Sequence, residues 1–138
     1  SAAGDADTII MTAAVADFRP VEIAEGKIKK DAVGETLALH LERTPDVLAG
    51  LAATRREGQR IVGFAAETEA DVKRRQQLGA EKARRKGVDL LVVNPVGWSE
   101  GFSAATNSVL ILDGGGSVVA RAEGGKASVA HRILDLLV

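Results

Sequence analysis

The residue types best suited to chemistry lie near the start of the chain. Small residues at positions 13–16 end an apolar segment, Asp17 follows them directly, and a lysine cluster occupies positions 27–30. Small side chains let a ligand lie against the backbone, and one carboxylate with several ammonium groups suits a metal-bound polyphosphate. These residues are the components of a nucleotide site.

The lysine cluster has two interpretations. Lys27, Lys29 and Lys30 are bracketed by Gly26 and Gly34, so they could belong to a lid that closes over phosphates. The alternative is a solvated loop, which is the commoner role of a run of charges taken alone.

Phe64 is a second candidate, because it stands between the small residues Gly63 and Ala65 at the end of an apolar segment. Its ring could flank a base while the neighbouring backbone groups read the edge of that base. The alternative is that Phe64 belongs to the core, which is the more frequent role of a single Phe in a strand.

Lys82 and Lys86 are a third candidate, since residues four apart share a helix face and could hold one anion together. The more frequent alternative is that they complement the negative end of the helix dipole, together with Arg84 and Arg85. His40 and His131 lie far apart in sequence and are interpreted as structural or surface residues.

Composition excludes several classes of protein. The formal net charge of -1 over 138 residues argues against an electrostatic nucleic-acid binder. No apolar run approaches the length of a membrane span. The chain has no cysteine, so it has neither a disulfide framework nor a thiolate zinc site, and we expect a cytoplasmic protein. Dehydrogenases and Walker-type ATPases are disfavoured because the GxGxxG and GxxxxGK[ST] patterns do not occur.

The hydrophobic pattern predicts one α/β domain over 1–138, with a Rossmann-like three-layer fold and a mostly parallel sheet, a C-terminal hairpin and a flap at about 19–35. Aromatic residues make up 3% of the chain, so the core must be aliphatic. The chain does not begin with Met, so we expect the C-terminal part of a longer polypeptide. Strands are predicted at 8–15, 36–41, 60–66, 88–94, 108–112 and 117–121, and helices at 45–56 with Thr44 as N-cap, at 69–86 with Thr68 as N-cap and Gly87 at C′, and at 126–137.

In their order along the chain these residues resemble the phosphopantothenate–cysteine ligase part of the bifunctional decarboxylase/ligase of bacterial coenzyme A biosynthesis. The resemblance covers nearly the whole chain. The matching segments are Ala13–Pro20, Lys27–Lys30, Pro45–Leu48, Gly63–Thr68, the pair Lys82 and Lys86, Asp89–Asn94, and Gly101-Phe102 with Asn107.

The resemblance implies a CTP-dependent enzyme that activates 4'-phosphopantothenate as an acyl-cytidylate and joins it to cysteine, with Mg²⁺ accompanying CTP. It also implies a homodimer, and FMN only in the decarboxylase domain that precedes the ligase. Asp17 would hold the metal through the CTP phosphates and Lys27 would be catalytic. The nucleotide-binding residues implied are Met11, Thr12, Ala13, Asp17, Lys27, Pro45, Asp46, Val47, Leu48, Phe64, Lys82 and Lys86.

The family's upstream half, with its glycine-rich opening and catalytic asparagine, is not matched by this chain. We therefore expect the chain to bind CTP without completing the reaction alone. Two other functions remain open: a dimerisation module without catalysis, and a flavin or nicotinamide domain, which the missing glycine fingerprint disfavours.

Overall fold

A computed structural model describes residues 2–29, 34–96 and 107–138. The helices are α1 (Ala2–Asp5), α2 (Val47–Ala53), α3 (Val72–Lys86) and α4 (Lys126–Leu134). The strands are β1 (Thr8–Met11), β2 (Phe18–Pro20), β3 (Leu41–Arg43), β4 (Arg60–Glu67), β5 (Leu90–Pro95), β6 (Asn107–Asp113) and β7 (Val118–Gly124).

Five strands form one sheet in the order β1-β4-β5-β6-β7. The first three are parallel, and the C-terminal hairpin of β6 and β7 extends the sheet in antiparallel fashion. The α/β class and the parallel sheet with a C-terminal hairpin are therefore confirmed.

Each face of this sheet packs against helices. On one face, Leu48 of α2 and Ala83 of α3 join a cluster with Ile61 and Leu91. On the other face, residues of α4 join a second cluster that includes Val62, Val92, Val129 and Ile133. Alternation of side chains along each strand divides these residues between the faces, so the predicted three layers are confirmed.

Helix α3 begins later than the sequence predicts. Asp71, rather than Thr68, is the N-cap, because its Oδ1 accepts a hydrogen bond of 2.7 Å from the backbone N–H of Arg74. The end of the helix is confirmed: Gly87 adopts φ 67° and its N–H donates to the carbonyl of Ala83. A left-handed residue at this position is most favourable as glycine.

Four other predicted elements have different boundaries in the structure. β1 ends at Met11 rather than Val15, and only the last residue of the predicted strand at 36–41 lies in β3. Helix α2 begins at Val47, so Thr44 lies three residues before its start and is not its N-cap; the Thr44 hydroxyl donates to the carbonyl of Ala16. α4 ends at Leu134, with a turn after it.

The contacts divide the chain into two units, Ser1–Thr12 with Val47–Val138, and Ala13–Asp46. The second unit contains the antiparallel pair of β2 and β3, with Arg19 opposite Glu42. The predicted flap lies in this unit, and its residues 30–33 fall outside the described part. The prediction of a single domain stays a prediction.

Candidate functional site at the carboxyl ends of the strands

The carboxyl ends of β1, β4 and β5 meet at one edge of the sheet. In the register of the parallel pairs, Met11 lies opposite Gly63 and Glu67 lies opposite Pro95. Ligands of open α/β sheets bind beyond this edge, where loops and helix starts leave backbone groups available.

An ion pair between Glu67 and Lys82 is the main polar contact at the end of β4. The Nζ of Lys82 lies 2.5 Å from Oε1 of Glu67, and their side chains are 29% and 15% exposed. In the ion pairs Arg19–Glu42, Arg55–Asp89 and Arg56–Asp7, both side chains are at least 36% exposed. This pair is thus screened less by water than the others.

Two local features place these groups together. Alternation along β4 puts the Glu67 side chain on the same sheet face as Ile61 and Ala65, which is the face that α3 covers. The carbonyl of Glu67 also accepts the N–H of Val96 at 2.9 Å, which fixes the backbone at the strand end. A long lysine side chain from α3 can then reach the carboxylate.

Gly63 is a packing residue of β4. A Cβ at this residue would lie 2.5 Å from Cδ2 of Leu48 and 3.4 Å from Cδ1 of Leu91. The missing side chain therefore makes room for α2 rather than for a ligand. Leu48, a predicted nucleotide-binding residue, is buried in this core, so its side chain packs and only its backbone is available for binding.

Phe64 lies on the opposite sheet face from Leu48, because it alternates with Gly63 and Ala65. Its side chain is 39% exposed, so it is not a core residue. The alternative of a buried Phe is therefore wrong, and the ring is accessible on this face of β4, three residues before the strand ends at Glu67. Met11 is partly buried against the same cluster as Leu48, while Thr12 and Val47 are exposed.

Lys86 is half-buried near the end of α3, four residues after Lys82 and therefore on the same side of the helix. The charged residues of α3 are all basic apart from Glu81. This helix is therefore a local source of positive potential in a chain of net charge -1.

Five predicted site residues lie in the smaller unit, and each of them is exposed: Ala13, Asp17, Lys27, Pro45 and Asp46. A backbone hydrogen bond joins the two ends of this unit: the N–H of Thr44 donates to the carbonyl of Asp17 at 3.0 Å. The Asp17 carboxylate is left exposed on the surface of its unit. Lys29 is described and exposed, whereas Lys30 lies outside the described residues, as do Gly101 and Phe102.

Asp89 belongs to one of the matching segments, and its hydrogen bonds indicate a structural role rather than a role in ligand binding. Its Oδ2 accepts hydrogen bonds from the backbone N–H of Ile61 and from Nη1 of Arg55, each at 2.7 Å. Its own N–H donates to the carbonyl of Ile61. Asp89 thus joins β4 to the start of β5 at the amino ends of the strands, away from the edge described above.

Among the described residues, no group of three or more His, Asp or Glu side chains could hold a metal ion. A single carboxylate such as Asp17 still suits Mg²⁺ that is bound mainly by phosphate oxygens. No helix in the described part of the chain is long and apolar enough to cross a membrane.

Glu67 is the functional candidate that the sequence interpretation did not single out. The signal was present, because the alternation of β4 assigns Glu67 to the face on which Ile61 and Ala65 are buried. A carboxylate there requires a partner on the covering helix. The identity of the partner depends on the packing of α3 and was not evident from spacing.

The family described as "DNA/pantothenate metabolism flavoprotein C-terminal domain" matches residues 1–138. The coenzyme A biosynthesis bifunctional protein CoaBC of Mycobacterium tuberculosis (strain ATCC 25618 / H37Rv) is 45% identical over 139 residues, which cover 96% of this chain and 33% of that protein. The protein of the same name from Vibrio cholerae is 38% identical over 104 residues, covering 75% of this chain and 25% of its own length. The chain thus spans about a third of the length of the curated relatives that it matches.

Two solved structures are similar to almost the whole chain. The C-terminal domain of CoaBC superposes with a TM-score of 0.65 at 28% identity, over 98% of this chain and 55% of that one. A DNA/pantothenate metabolism flavoprotein from Streptococcus pneumoniae gives a TM-score of 0.73 at 15% identity, over 98% of this chain and 64% of that one, which shows a shared fold.

Proposed function

Because this chain belongs to the family of the DNA/pantothenate metabolism flavoprotein C-terminal domain, with a role in coenzyme A biosynthesis, we propose that it is the CTP-binding part of a phosphopantothenate–cysteine ligase. In the proposed reaction a carboxylate oxygen of 4'-phosphopantothenate attacks the α-phosphorus of CTP and pyrophosphate leaves. The amine of cysteine then attacks the acyl carbon, CMP leaves and the amine loses a proton. The product is 4'-phosphopantothenoylcysteine, formed in the cytoplasm.

The observation that carries this proposal is the composition of the strand-end edge. An accessible aromatic ring, Phe64, lies on one face of β4, and a cation, Lys82, is paired with Glu67 at the end of the same strand. A nucleotide has an apolar base and an anionic phosphate chain, so it presents the two matching chemistries. Lys86 would add positive charge along the same helix side.

The residues of the smaller unit complete the assignment. Asp17 would bind Mg²⁺ that the CTP phosphates carry, and Lys27 would neutralise the negative charge that develops on the α-phosphate during attack. Exposed backbone groups at Ala13 and at 45–47 would contact the base and ribose. Each of these roles rests on the family resemblance and on the exposure of the residues.

Calorimetric titration with CTP, ATP and FMN, each with Mg²⁺, tests the proposal. We expect selective binding of CTP, and a loss of that binding in Asp17→Ala. Lys126→Gln removes a charge from an exposed position on α4, which the proposal leaves out of the site, and serves as the control that keeps its affinity. Equal affinity for all three ligands, or an Asp17→Ala variant that binds like the parent, would contradict the proposal.

Lys27→Gln separates binding from chemistry. In the ligase that contains this chain, a catalytic Lys27 predicts that pyrophosphate release in single-turnover experiments falls much more than CTP affinity does. If both fall by the same factor, Lys27 is a binding residue without a separate catalytic role.

A specific observation also favours a second candidate, a contact with another copy of the chain. None of the described residues in 13–46 is buried. Large apolar side chains of this unit are exposed: Val15, Phe18, Val21, Ile23, Ile28, Leu37, Leu39 and Leu41. Exposed apolar patches mark interaction surfaces, so sedimentation should show a dimer that Phe18→Ser with Leu41→Ser weakens, and a monomer at all concentrations would exclude this role.

A further inference from the structure

We infer that Glu67 is a positioning residue, which holds the ammonium group of Lys82 at the carboxyl end of β4 so that it is ready for the phosphate groups of a nucleotide. The inference rests on the proposed function, because it concerns a lysine of the proposed CTP site. It adds to that site a carboxylate that would make no contact with the ligand itself.

The geometry favours positioning over a surface ion pair. The contact is 2.5 Å, and the carboxylate is 15% exposed. Both the backbone and the side chain of Glu67 are held in place. Its carbonyl accepts the N–H of Val96, and its side chain lies on the sheet face that α3 covers. A lysine on a flexible stem would otherwise sample many rotamers, and ordering it at the moment of binding weakens affinity.

The chemistry of lysine leaves the paired group able to bind a ligand. An ammonium group has three donors, and the contact with Oε1 of Glu67 uses one of them. The Lys82 side chain keeps 29% of its surface exposed, so a phosphate oxygen can approach the remaining donors. Glu67 thus restricts the rotamers of Lys82 without closing access to it.

A double-mutant cycle on CTP affinity tests the inference. In the parent chain, Lys82→Met should raise the Kd for Mg²⁺–CTP about tenfold, the loss of one charge-assisted contact. In a Glu67→Gln background the same change should raise it only about twofold, because an unpositioned lysine contributes less. Glu67→Asp keeps the charge but shortens the side chain, so it should behave like Glu67→Gln.

Glu81→Gln is the matched control. It removes one negative charge from an exposed residue of α3 next to Lys82 in sequence, whereas the ammonium group of Lys82 pairs with Glu67. In the Glu81→Gln background, Lys82→Met should raise the Kd for Mg²⁺–CTP by the same factor as in the parent. Two results would overturn the inference in favour of simple charge balance. One is that Lys82→Met raises the Kd for Mg²⁺–CTP in the Glu67→Gln background by the same factor as in the parent, or by a larger one. The other is that the Glu67→Asp variant behaves like the parent.

A second readout needs no nucleotide. Trace acylation of the folded chain, followed by mass spectrometry of the peptide that contains Lys82, should show several-fold faster labelling of Lys82 in Glu67→Gln and an unchanged rate in Glu81→Gln. Unchanged labelling in Glu67→Gln would overturn the contact itself. Faster labelling together with no CTP binding by the parent would instead refute the proposed function, and with it the role of the pair toward a nucleotide, while the contact stands.

Discussion

At the scale of single residues, two acids of the matching segments, Glu67 and Asp89, have different surroundings. Glu67 lies at the carboxyl ends of the strands with a cation as partner, whereas Asp89 lies at the amino ends and accepts a backbone N–H. Hydrogen bonds from a buried backbone group to a carboxylate contribute more to stability than an exposed ion pair does. Asp89 is therefore expected to matter for folding rather than for binding.

Asp89→Ala should lower the free energy of unfolding by about 2 kcal/mol, because the N–H of fully buried Ile61 loses its charged acceptor. Arg55→Gln removes only the partly exposed ion pair with Asp89 and should cost less than about 1 kcal/mol. Urea unfolding of both variants measures the difference. Equal losses would mean that the ion pair, and not the backbone contact, is the important interaction.

At the scale of elements, α3 is the helix that carries the proposed site residues Lys82 and Lys86. Its placement is fixed at each end by a cap, with Asp71 at the start and Gly87 after the end. In between, Gly79 lets the helix approach the sheet, since a Cβ there would lie 2.6 Å from Cδ1 of Leu112. The position of Lys82 thus depends on how α3 packs, in addition to its own rotamer.

The N-cap of α3 gives a test at this scale. Asp71→Ala should destabilise the chain by about 1 kcal/mol, since the N–H of Arg74 loses its acceptor. Thr68→Ala, at the position that the sequence pattern favours as the cap, should change the unfolding free energy by less than about 0.5 kcal/mol. Thermal unfolding of the two variants decides between them, and a larger loss in Thr68→Ala would restore the earlier helix start.

At the scale of the whole molecule, the two units differ in what stabilises them. The larger unit has two apolar clusters on the faces of a five-stranded sheet. The smaller unit has a two-stranded sheet and no buried side chain among its described residues. A two-stranded pair without a core is marginally stable, so we expect local opening of this unit well below the global free energy of unfolding.

Hydrogen exchange measures this difference directly. Amides of Leu41–Arg43 should exchange faster than those of Ile61–Val62 by a factor on the order of a hundred. Saturating CTP should slow exchange in the smaller unit, because Asp17 and Lys27 are proposed to bind it there. Similar protection of both units without CTP would contradict the expected difference in stability, and an unchanged pattern with CTP would contradict the proposed contribution of this unit.

The sequence by itself determined the fold class, because short apolar runs such as those within 60–66 and 88–94, alternating with helical segments, are typical of strands buried on both faces of a covered parallel sheet. It also determined the glycine that ends α3 and the turn at 113–116, where local backbone conformation decides the residue type. The predicted helix starts at Thr44 and Thr68 were wrong. More than one residue near a helix start can serve as the N-cap, and the local sequence pattern does not show which of them does.

The tertiary structure decided which residues meet. The position of Gly63 faces Leu48, because alternation along β4 turns it toward α2, and a Cβ there would clash with that leucine. Phe64, on the opposite face, stays accessible. Glu67 and Lys82 form an ion pair, although their separation in the sequence does not predict that they are in contact. Local chemistry thus fixes elements and turns, whereas partners across elements depend on packing, which involves residues from distant parts of the chain at once.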